Sequence, residues 1–129
     1  MGKFTPSRSS VNDLSVNGNI TYEQGPDLTI ADGTITITHS NHMVVSETGA
    51  GADDLNRING ATVADIGQML ILRRKGGSGA ITVKDNTDGD SAGANINTSG
   101  DRLLSNDKDT IILIWHGSTW LELSFANNG

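Results

Sequence analysis

The chain contains no cysteine. Disulfide frameworks, zinc fingers, iron–sulfur sites and thiol nucleophiles are therefore excluded. Aromatic residues make up only 4% of the 129 residues, which argues against a surface that reads bases or sugars by stacking. No run of about 20 apolar residues exists. The longest apolar stretch is Ile111 to Trp115, so no transmembrane helix and no membrane partner is expected. Met1-Gly2-Lys3-Phe4-Thr5-Pro6 is not followed by an apolar segment, and no secretory signal is expected. Basic residues are in deficit, 9 against 15 acidic, for a net charge of −6. That balance argues against nucleic acid as a partner.

Glycine is what the chain has in excess, 16 of 129 against an average of about 7%. With Thr, Asn, Asp and Ser it breaks the apolar residues into short runs. This is the punctuation of many short strands. The length suits one domain with a sizeable core. The reading is an all-β, antiparallel β-sandwich or jelly-roll-like domain over 19–129, with an extended N-terminal arm over 1–18. The arm holds single apolar residues without a period. It carries +1 over residues 1–20, from Lys3, Arg8 and Asp13, whereas 21–60 carry −5. It reads either as a frayed terminus or as a strap that orders on a neighbouring subunit. Gly60 and Gly67 interrupt the apolar residues of 53–68, so that stretch is expected to be irregular, with at most one helical turn.

Three turns organise the strands. Asp32-Gly33 lies between Leu28–Ala31 and Thr34–Ile37 and suits a type I′ hairpin, because both central positions need positive φ. It would pair Ala31 with Thr34, Ile30 with Ile35, and Leu28 with Ile37, the apolar pairs sharing one face. A further strand is expected over His42–Ser46. Met69–Arg73 leads into Arg74-Lys75-Gly76-Gly77-Ser78-Gly79, and Ala80–Lys84 returns. Weak strands follow at Ala94–Asn97 and Leu103-Leu104. Thr110–Trp115 and Trp120–Phe125 form the last hairpin, pairing Trp115 with Trp120, Ile114 with Leu121, Leu113 with Glu122, and Ile112 with Leu123. Both of its faces are substantially apolar, whereas a solvated sheet has one polar face. Ile111, Leu113, Trp115 and Trp120 are therefore assigned to a second sheet or a subunit interface, and Ile112, Ile114, Leu121 and Leu123 to the other face.

Catalytic and metal constellations are sparse. His39 and His42 differ by three, so on one strand they would face apart, and no shared metal is expected. Asp85-Asn86-Thr87-Asp88-Gly89-Asp90 is oxygen-rich but fails the EF-hand spacing. Counted from Asp88, the fifth position is Ala92 and the twelfth Ser99. Asp53-Asp54 reads as a capping or turn pair. Arg73-Arg74-Lys75 is the one basic cluster. It reads as a charged hairpin end that blocks edge pairing, or as an electrostatic contact with an acidic protein surface. There is no nucleophile elbow, phosphate-binding loop or zinc-protease motif. No enzyme activity and no cofactor are expected.

Five segments carry a resemblance: Asp54-Leu55-Asn56-Arg57-Ile58-Asn59-Gly60, Gly67-Gln68-Met69-Leu70-Ile71-Leu72, Ile81-Thr82-Val83-Lys84-Asp85, Asp109-Thr110-Ile111-Ile112-Leu113-Ile114, and Trp120-Leu121-Glu122-Leu123-Ser124. The pattern resembles a β-structured module of tailed-bacteriophage virion proteins, found in head decoration (cement) proteins and in tail-fibre or tail-appendage segments. The resemblance implies a β-sandwich or jelly-roll-like domain assembled as a homotrimer, with no catalytic residues. A short chain beginning at Met1, with an arm, points within that group to a capsid decoration protein. Its expected place is the outer surface of the capsid and its expected partner the major capsid protein. Lys3, Phe4, Arg8, Arg73, Arg74 and Lys75 are the candidate capsid contacts. The alternative is a receptor- or glycan-binding module of a tail or head fibre.

Overall fold

The computed structural model of the chain describes residues 12–86 and 93–129. Its strands are β1 (Leu28–Thr29), β2 (Thr34–Thr36), β3 (Asn41–Val45), β4 (Asp53–Leu55), β5 (Arg57–Asn59), β6 (Met69–Arg74), β7 (Ile81–Val83), β8 (Ile96–Asn97), β9 (Arg102–Leu104), β10 (Thr110–Trp115) and β11 (Trp120–Ala126). One 3-10 turn, Val63–Asp65, is closed by a capping box between Thr62 and Asp65.

The fold is all-β, but the expected antiparallel order is corrected. Of the eight strand pairings among the described residues, five are parallel and three antiparallel. The chain winds as stacked coils in a solenoid-like arrangement. One wall is the six-stranded sheet β1-β3-β6-β10-β11-β8, the second is β4-β7-β9, and the third is β2-β5. In each wall a strand lies parallel to its counterpart one coil later: Leu28 opposite Val44, Ile35 opposite Ile58, Asp53 opposite Ile81. The last strands then reverse. β9 runs antiparallel on β7, and β10 antiparallel on β6.

The Asp32-Gly33 turn forms as expected, yet its hairpin does not. Both residues have positive φ, 50° and 71°, and Ala31 and Thr34 exchange both backbone hydrogen bonds at 3.0 Å. The ladder stops there. The Ile30 N–H turns to the Val45 carbonyl, and Ile35 pairs with Ile58. The turn is thus a corner between two walls. Ile30, Ile35 and Ile37 still end buried, because a corner points both flanks into the core as a hairpin face would. The Arg74–Gly79 turn is likewise a corner. β7 returns along β4, not along β6. Here successive coils approach closely. The Gly79 N–H donates to the Gly49 carbonyl at 2.8 Å, and a Cβ on Gly79 would lie 1.9 Å from the Gly51 carbonyl oxygen.

Residues 53–68, expected to be irregular, contain β4 and β5. Each strand contributes a single core residue, Leu55 or Ile58, so no alternation could mark it. A second partner for β5 comes from a side chain. Asn95 Oδ1 accepts from the Ile58 N–H at 2.9 Å, and Asn95 Nδ2 donates to the Ile58 carbonyl at 2.8 Å. The amide stands in for a neighbouring strand.

Candidate functional site

The β10–β11 hairpin has the expected register from Trp115–Trp120 to Leu113–Glu122. A bulge then leaves Leu123 without a partner and sets Ile112 opposite Ser124. The expected Ile112–Leu123 pair is corrected for a physical reason. Strict alternation from Trp120 would turn Ser124 inward and Phe125 outward. The extra residue resets the phase, and Phe125 packs against the core opposite Ile111. Arg102 holds the neighbouring Glu122 through a two-pronged pair at 2.6 and 3.0 Å, with its guanidinium 5.3 Å from the Phe125 ring centroid.

Ile111, Leu113, Trp115 and Trp120 were assigned to a second sheet or a subunit interface. They lie in the core of a single chain, all buried. The indoles meet at 5.1 Å, and their N–H groups donate inward, Trp115 to the Thr62 carbonyl and Trp120 to that of Ile58. The face therefore packs against the other walls of its own chain, as the second-sheet half of the assignment has it, and the subunit-interface half is corrected.

The opposite row faces outward. Met69 and Ile71 on β6, Ile112 and Ile114 on β10, and Leu121 on β11 are half-buried, while Leu123 is 54% exposed. Strand register makes these neighbours: Met69 opposite Ile114, Ile71 opposite Ile112, Ile114 opposite Leu121. The wall thus carries a continuous apolar outer face. The signal for it in the sequence is the unbroken apolar runs Met69–Leu72 and Ile111–Trp115, which mark strands covered on both faces.

A second unpartnered surface lies on the arm. Residues 12–24 are all exposed and include no strand, and Gly25 is the first buried residue described. Leu14, Val16, Ile20 and Tyr22 all occupy even positions, which is strand alternation. They are 74%, 46%, 65% and 44% exposed. The base of the arm is pinned. Asn41 Nδ2 donates to the Tyr22 carbonyl at 3.2 Å, and the Gly25 N–H to the Asn41 carbonyl at 2.8 Å. Buried His42 completes the anchor. Its Nε2 accepts from the N–H groups of Thr38 and His39, and its Nδ1 donates to the Pro26 carbonyl at 2.8 Å. Two backbone donors aimed at Nε2 require the neutral ring with its proton on Nδ1.

The basic cluster is divided among internal partners. Arg73 donates to Gln24 Oε1 at 3.1 Å, Arg74 to the Ser78 carbonyl, and Lys75 pairs with Asp27 at 3.1 Å. Two of the three thus hold the root of the arm. Lys3, Phe4 and Arg8 lie outside the described residues, as does part of the Asp85–Asp90 loop.

The other ionised groups brace backbone. Asp109 is buried and accepts five hydrogen bonds, from the Ser105 and Asn106 backbone and side chains and from the Asn128 N–H. Burial alone would raise its pKa, but these donors together hold it below the ordinary carboxylate range. Glu122 is lowered chiefly by the Arg102 hydrogen bonds, and Asp101 by that from Lys84. Among the described residues no group of three or more acidic or histidine side chains is placed to hold a metal.

One family model matches the chain, over residues 35–121: the phage depolymerase C-terminal beta sandwich domain. The chain belongs to this family. It is a phage virion β-domain. The match spans β2 to the start of β11, and so covers all three walls and most of the apolar outer face. No curated protein and no solved structure matches the chain.

Proposed function

We propose that this chain is a non-catalytic structural and adhesion module of tail-fibre or tailspike type, acting in the virion as a homotrimer. The family match over residues 35–121 carries the reading, because it ties the coiled body to the phage depolymerase class rather than to head decoration. Nothing in the match favours capsid cement, the first expectation from the sequence. The basic cluster offered for capsid contact also makes bonds within the chain.

The chemistry of the body agrees with a scaffold. Its most buried carboxylate, Asp109, binds chain ends and turns together. Both tryptophans are enclosed and offer no stacking platform to a sugar. Among the described residues Tyr22 is the exposed aromatic side chain, 44% accessible. Immunogold electron microscopy of the parent particle, with antibody to this chain, tests the reading. Label on the tail fibres or tail tip is the expected result. Label spread over the head shell would overturn it and restore the cement role.

A further inference from the structure

Among the described residues two apolar surfaces have no partner, and they complement each other in kind. One is flat, the outward row Met69, Ile71, Ile112, Ile114, Leu121 and Leu123. The other is a set of exposed apolar side chains on the arm, Leu14, Val16, Ile20 and Tyr22, spaced by two or four positions along the sequence, with a bend at 17–18 between the two pairs. We propose that the arm of one copy lies across the outer apolar face of the next copy, so that this set on residues 14–22 covers the row on β6, β10 and β11.

Three observations point to a second copy as the occupant. Contiguous apolar surface rimmed by polar groups marks an interaction site, and strands with unbroken apolar runs belong in sheets covered on both faces. The arm leaves the body beside this face. Its root bonds to Asn41 and to Arg73, and Asn41 stands opposite Ile71 in the wall. Beyond that fixed root, residues 12–21 are all exposed. A contact from the arm of one copy to the face of the next is head-to-tail, and such a contact closes into a ring when the rotation allows. A trimer is the ring that the proposed fibre role requires, and the inference rests on that reading of the chain as self-associating.

The test uses the full chain, whose lack of cysteine makes engineered cross-links unambiguous. Mass is measured by light scattering for the unaltered protein, for Leu14→Asp/Ile20→Asp, and for Ile112→Lys. The expected result is an oligomer for the unaltered chain and a fall to 13.5 kDa for both variants. The arm variant changes side chains that are exposed in the monomer, so it remains informative should Ile112→Lys not fold. Ile20→Cys/Ile112→Cys, oxidised and run under denaturing conditions without reductant, is expected to give linked multimers. A cross-link closing within one chain would overturn the proposal, as would a monomeric unaltered protein. An oligomer that survives the arm variant would discard the arm contact while leaving the self-associating module intact.

Discussion

Two turns in this chain look alike in sequence and end differently. Asp32-Gly33 and Gly117-Ser118 both stand between apolar flanks. The second joins a true hairpin of six paired positions. The first makes a single antiparallel bridge, after which its flanks part for different walls. The difference lies in what each flank can reach. β10 and β11 are long enough to pair along their length, and their indoles pack together. β1 and β2 are two and three residues long, and each gains more from the strand of the next coil. A turn residue sets the local reversal of the chain. The ladder beyond it is decided by which edges can bury their neighbours.

The largest expected effect tests the hairpin. Trp120→Ala removes a fully buried indole and should lower stability by about 3–5 kcal/mol, read from urea unfolding. Leu123→Ala, on the unpaired bulge residue, should change the stability of the isolated chain by less than about 0.5 kcal/mol. Equal losses would mean that the bulge does not set the inward face.

The coils come next. Gly79→Ala drives a methyl into the Gly51 carbonyl of the preceding coil and should destabilise by about 3 kcal/mol through overpacking. Gly33→Ala should cost about 1 kcal/mol, the left-handed backbone penalty, because its nearest obstacle is the movable Asn56 amide. The reverse ranking in thermal denaturation would show that the Asp32-Gly33 turn, rather than coil stacking, organises residues 28–83.

Asn95→Ala probes the seam between coils and reversal. It leaves the Ile58 N–H without its side-chain partner and the Ile58 carbonyl with only the Trp120 indole of its two side-chain donors, a loss of about 2 kcal/mol. Asn95→Gln should not rescue it, since the longer side chain displaces the amide. Stability equal to the parent in chemical denaturation would remove Asn95 from the wall.

The smallest effect is a slope with pH. Asp109, Asp101 and Glu122 bind protons less readily folded than unfolded. The unfolded chain then takes up more protons as pH falls below about 4. Stability from these groups is full above that range and is lost on acidification. The slope should be shallower in Asp109→Asn, measured by urea titration at pH 3 and pH 6.

Much of the strand inventory was legible in the sequence, and so was half of the last hairpin's register. β3, β6, β7, β10 and β11 carry alternating or continuous apolar residues between Gly-rich turns, and the Trp115–Trp120 pairing follows from loop length. β4 and β5 were hidden because three-residue strands with one inward residue have no period of their own. The even spacing of Leu14, Val16, Ile20 and Tyr22 straddles the expected arm boundary at residue 18, and the arm was read as lacking a period.

Inward and outward remained open for the two apolar rows of β10 and β11, because both rows are equally hydrophobic. The sequence by itself determined an all-β chain, its turns, and the residues able to fill a core. Those depend on neighbours a few positions away. Only the tertiary structure decided that strands 16 to 30 residues apart run parallel, that a bulge turns Phe125 inward, and which apolar row is left uncovered. These outcomes compare the burial of one arrangement of distant segments with that of another, and no local pattern carries that comparison.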